Sequence, residues 1–145
     1  MNMDFQQLTE LVAQAEFHKF LKLVPVSSDE ESGTVVFELP YDDAYSIFPA
    51  AGNYHGGVIA SLVDVAGAMA CSLVKGHPTP TVNLRIDFMQ TPRRTDLVAT
   101  GKVCRIGRSI GVADVEIAGK DGTTYALGRG TFSTVSPEPK LFEKA

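Results

Sequence analysis

His55-Gly56-Gly57-Val58-Ile59-Ala60-Ser61-Leu62-Val63-Asp64-Val65-Ala66-Gly67-Ala68-Met69-Ala70-Cys71-Ser72-Leu73-Val74 is an almost unbroken apolar run, opened by two glycines and holding one carboxylate. The apolar part, Val58 to Val74, falls just short of a membrane span and carries Asp64, Ser61 and Ser72, so it reads as a helix buried in a soluble domain. An unpartnered ionised carboxylate is costly to bury, so Asp64 belongs near an opening or must change its protonation. Chemistry is one explanation for it. Gly56-Gly57 stands at the helix start, where unpaired N–H groups could face a developing negative charge.

Working outward, Asp4 and Gln7 form a helix-starting box, and Leu8, Leu11, Val12 and Ala15 recur at helical spacing. They predict one amphipathic N-terminal helix within residues 1–22. Ser32-Gly33 opens an extended stretch from Thr34 to Leu39, which Pro40 stops, and residues 41–54 read as an irregular loop leading into the helix near Gly57. After Pro78 the period becomes two: Val82, Leu84, Ile86 and Phe88 alternate with Asn83, Arg85 and Asp87. Strands are predicted over roughly Asp96–Ile106, Ile110–Ala118 and Thr123–Val135, joined by tight turns at Ile106-Gly107-Arg108-Ser109 and Lys120-Asp121-Gly122-Thr123. The order is helix, strand, long helix, then four strands. It predicts a single α+β domain over 1–145, one long helix lying on a curled antiparallel sheet, with 136–145 as a loose tail.

At 145 residues, 44% hydrophobic and 21% charged, the chain has the makings of one soluble domain. Its net charge of −4 argues against nucleic acid as a partner. Met1-Asn2-Met3-Asp4 lacks the basic start of a secretory signal, and Cys71 and Cys104 make no disulfide pattern. A cytoplasmic location, away from membranes, is the expectation.

Residues three or four apart share a helix face, so Gly57, Ala60, Ser61, Asp64, Gly67, Ala68 and Cys71 form a stripe of small side chains around the acid. Such a stripe lets a ligand or a second helix approach closely. Asp64 could be catalytic or could bridge an interface; His55 could be a ligand, a base, or a ring that pins the loop. Ser61, His55 and Asp64 could be drawn as a triad, but no G-x-S-x-G elbow is present and Ser61 reads as a packing residue. His18, His55 and His77 lack metal-ligand spacing, so no metal is expected. Arg93, Arg94, Arg105 and Arg108 read as solvated charge or as a mouth for a phosphorylated ligand.

Three segments carry a resemblance: residues 55–66, Pro80-Thr81-Val82-Asn83-Leu84-Arg85-Ile86-Asp87-Phe88, and Gly128-Arg129-Gly130-Thr131-Phe132. Together, from about Tyr45 to Thr134, the chain resembles the hot-dog-fold acyl-CoA thioesterases of the phenylacetate-degradation type. The resemblance implies hydrolysis of an acyl or aryl-acyl thioester by a homodimer that pairs into a homotetramer, with no cofactor beyond the coenzyme A of the substrate. It makes Asp64 the general base or nucleophile, Gly56 the backbone donor to the thioester carbonyl, and His55 its loop companion. Thr81 orients the attacking water, contributed with Asp64 from the chain opposite Gly56. Gly57, Arg105, Arg108 and Ser109 become substrate-binding residues. Many relatives carry an asparagine six residues before the histidine; here that position is Pro49, and either Asn53 takes over its orienting role or the role is absent. Dehydration or hydration of an acyl thioester, and acyl-CoA binding without catalysis, are the alternatives the pattern leaves open.

Overall fold

A computed structural model describes residues 1–137. Its centre is the predicted helix, running Gly56–Lys75 (α3) and ended by Gly76 in the left-handed conformation. Around it lies one antiparallel sheet of six strands: β1 Val24–Asp29, β2 Thr34–Leu39, β3 Thr81–Phe88, β4 Leu97–Ile106, β5 Ile110–Gly119 and β6 Thr124–Ser133. Their order is β1-β2-β4-β5-β6-β3, so the sheet stays open and β1 and β3 are its edges. Helix α3 packs mainly on β4, β5 and β6, burying Ile59, Leu62, Val63, Ala66, Ala70 and Leu73 against Val35, Phe37, Ala99, Val115, Ile117 and Phe132. By length and composition α3 could cross a membrane, but most of it is buried inside this core.

The element order departs from the sequence reading at two places. The N-terminal helix is broken into α1 Phe5–Ala13 and α2 Glu16–Phe20, because Ala15 is extended between them. The His18 ring bonds the Val12 carbonyl left free near the break, at 2.9 Å. A sixth strand, β1, was not expected. Its sequence Val-Pro-Val-Ser-Ser-Asp shows no inside–outside alternation because it is an exposed edge, where Pro25 is tolerated and a bulge interrupts the ladder. Of the expected tail, only Ser136 and Pro137 lie within the described residues.

Contact between α3 and the sheet depends on small residues. A methyl group at Gly101 on β4 would collide with the carbonyl of Ala66 on the helix, two rigid backbones that cannot both yield. Gly101→Ala is therefore expected to cost about 3 kcal/mol, the upper end for overpacking a tight core, read as a lower denaturation midpoint with an unchanged m-value.

Candidate active site

Asp64 lies on the half-buried face of α3, and Thr81 Oγ1 donates a hydrogen bond to its Oδ1 at 2.5 Å. Alternation along β3 alone would not bring Thr81 there, since Leu84 and Ile86 are its helix-facing residues and Thr81 has the opposite parity. A bulge resolves this. Thr81 pairs with Phe132 and Asn83 with Thr131, so Val82 is the extra residue, and Thr81 shares the face of Phe132, which is buried against Gly67. The entry to β3 is latched as well. Thr79 donates from Oγ1 to the Ala68 carbonyl at 2.8 Å and from its N–H to Ser72 Oγ at 3.2 Å, both in the interior. Sequence reading missed Ser72, Thr79 and the bulge; the flanking Pro78 and Pro80 were the available signal of a fixed, extended entry.

At the other end of the site His55 caps α3. Its Nδ1 accepts the Gly57 N–H at 2.8 Å, which places the proton of a neutral ring on Nε2, and its own N–H donates to the Tyr45 carbonyl at 2.7 Å. Of the three roles open to His55, pinning the turn is the one these bonds perform. They also revise the expectation of two bare donors. Gly57 is occupied, and a Cβ on it would stand 2.9 Å from His55 Nδ1, whereas the Gly56 N–H has no acceptor among the described residues. Phe88, at the far end of β3, lies against Gly56: its ring is 3.6 Å from where a Gly56 Cβ would be.

Gly56 and Asp64 are eight residues apart on one helix, a rise of about 12 Å, so within one chain they cannot meet at a single carbonyl. For the same reason His55 and Asp64 form no triad, and Ser61 donates back to the Gly57 carbonyl at 2.8 Å. The small-residue stripe is also narrower than expected. Gly57, Ala60, Ser61, Asp64 and Ala68 remain at least partly open, but Gly67 and Cys71 are buried, Gly67 beneath Phe132 and Cys71 beside Gly111. Burial pushes the Cys71 thiol up to about 12, so it stays protonated and unreactive.

Asn53 enters the loop through its backbone: it bridges to Arg93 and its carbonyl accepts the Ile47 N–H at 3.0 Å. Arg105, Arg108 and Ser109 are exposed around the β4–β5 turn. The ladder Ile106–Gly111–Phe132–Thr81 puts that turn at the Thr81 end of the sheet, three strands away, or about 14 Å. No cluster of potential metal ligands occurs among the described residues.

Residues 51–126 match the thioesterase superfamily. A Halobacterium salinarum protein named as an esterase is 32% identical over 127 residues, covering 79% of this chain and 83% of its own. Human acyl-coenzyme A thioesterase 13 is 30% identical over 102 residues, covering 68% of this chain and 71% of its own. Among solved structures, the Escherichia coli PaaI protein, from the phenylacetic acid degradation operon, superposes with a TM-score of 0.79 at 29% identity, covering 88% of this chain and 90% of that one.

Proposed function

The chain belongs to the thioesterase superfamily, with its hot-dog fold, and from that premise we propose that it hydrolyses acyl-CoA thioesters at sites each built from two copies of the chain. The observation that carries the reading is the Thr81–Asp64 hydrogen bond at 2.5 Å on an accessible helix face. It orients the carboxylate through Oδ1 and leaves Oδ2, without a partner among the described residues, to take a proton from water or to attack the carbonyl carbon itself. The Gly56 N–H, unpaired at the start of α3, suits the charge that develops on the carbonyl oxygen. Collapse of the tetrahedral intermediate expels coenzyme A as its thiolate, a good leaving group, so the chemistry requires no metal or redox cofactor. The acyl-CoA thioesterase named among the relatives supports the substrate class.

Pairing of two chains supplies what one lacks. Edge strand β3 exposes Val82, Phe88 and the adjoining Met89, all more than half accessible, an apolar edge ready to be covered. On β3, Thr81 lies level with Asp64 and Phe88 level with Gly56. Antiparallel pairing of two such edges sets the Phe88 end of one beside the Thr81 end of the other, bringing Gly56 of one protomer toward Asp64 of its partner. His55 and Gly57 then border the carbonyl, and Arg105, Arg108 and Ser109 serve the coenzyme A phosphates from the Thr81 end. We extend the reading to a cytoplasmic enzyme, in keeping with the unpaired Cys71 and Cys104.

The deciding experiment is a free-thiol assay over short, long, aryl and hydroxyaryl acyl-CoAs. Release of coenzyme A without hydration of an enoyl-CoA is the expected result; binding without turnover across the panel would reduce the protein to a carrier. Thr81→Val tests the carrying observation. It keeps the side-chain shape but deletes a hydrogen bond to a charged group, so kcat is expected to fall about 10- to 100-fold in steady-state kinetics.

A further inference from the structure

We propose that Arg94 is a positioning residue that fixes the loop ahead of the Gly56 donor; this rests on the hydrolase reading above. Four consecutive carbonyls of that loop converge on Arg93 and Arg94. Arg94 Nη2 donates to Ala50 O at 2.6 Å and to Pro49 O at 3.2 Å, Arg93 Nε donates to Ala51 O at 2.5 Å, and the Arg94 N–H donates to Gly52 O at 3.0 Å. Gly52 lies directly under the Arg94 stem. A Cβ there would collide with Arg94 Cγ and stand 2.7 Å from its Nε, so this close approach needs glycine.

Arg94 itself holds φ +42°, a left-handed conformation that a residue with a side chain keeps only where its surroundings over-determine it. Here the surroundings are the loop it grips. Beyond the clamp the chain is tied at each step toward the site. Asn53 bridges to Arg93, the Tyr54 N–H donates to Pro92 O at 3.1 Å, Tyr54 Oη donates to Thr95 O at 2.8 Å, and the His55 N–H donates to Tyr45 O at 2.7 Å. Gly56 follows at once, so the position of its N–H is inherited from Arg94 through four residues. Misplacing a donor by a fraction of an ångström is enough to slow a reaction without weakening binding. A phosphate-binding arginine would turn its fork outward; Arg94 Nη2 is directed at two carbonyls of its own chain.

Arg94→Gly tests this in the full-length protein. Glycine accepts φ +42° freely, so the backbone turn survives and only the grip is lost. The expected result is a kcat about tenfold lower with KM within about twofold, an intermediate kcat for Arg94→Lys, and faster hydrogen exchange confined to the amides of residues 51–57. If Arg94→Gly loses protection throughout, the same split is read on Arg94→Lys. A raised KM at unchanged kcat would make Arg94 a substrate contact and overturn the proposal, as would unchanged kinetics and exchange together. Exchange needs no substrate, so a wild-type protein inert toward every acyl-CoA would refute the hydrolase reading while the clamp was still decided.

Discussion

Asp64→Asn is expected to lower kcat for thioester hydrolysis by about 100-fold or more while the protein stays folded. Asparagine keeps the side-chain shape and still accepts the Thr81 hydroxyl through its amide oxygen, so the 2.5 Å contact can be retained. What disappears is the free Oδ2: an amide nitrogen neither takes a proton from water nor attacks a carbonyl. Because Asp64 is half-buried and its described hydrogen bond is to Thr81 alone, the substitution leaves no partner charge stranded. Steady-state kinetics beside a thermal melt checks both halves. Near-normal turnover by the folded variant removes Asp64 from the mechanism.

The second large effect is a gain from mixing two inactive proteins. Gly56→Pro deletes the donor N–H, and Asp64→Asn disables the acid. Each homodimer is expected to be inactive. Refolded together in equal amounts, half of the dimers are mixed, and each mixed dimer gathers both lesions into one site and leaves the other intact. About a quarter of wild-type activity therefore returns if chains pair at random. Gly56→Ala serves as a control for strain introduced by proline. The helical rise of about 12 Å between the two positions is the reason for the design. If tagged pull-down recovers mixed dimers and no activity returns, both residues serve one chain and the two-chain site is wrong.

Periodicity made most of this fold legible. The apolar run of α3 and the alternation of Leu84 and Ile86 left little freedom for another arrangement, and β2, β4, β5 and β6 were found within about two residues at either end. Strand β1 escaped because an exposed edge has no buried face to write into its sequence. The helix break at Ala15 escaped because no Pro or Gly marks it. Within the site, Asp64 was legible as a lone charge among apolar neighbours. Its partnership with Thr81 came from the resemblance alone and not from strand alternation, because a bulge changes the parity of a strand without changing which residues compose it. Gly67 and Cys71 were assigned to the open stripe by spacing, yet the large ring of Phe132 reaches over Gly67 from the sheet and closes that part of the face. The Arg93–Arg94 grip joins residues some 40 positions apart, a pairing that only the fold brings about.

On the two-chain reading, the open edge at β3 ties the protein's output to how much of it is present. If sites exist only in pairs of chains, mass action governs activity: below the dissociation constant of the pair, turnover per chain falls with dilution even though every chain is folded. The same uncovered Val82, Phe88 and Met89 make the lone chain prone to unwanted strand pairing, so on that reading a second copy on this edge is at once activator and protection against aggregation.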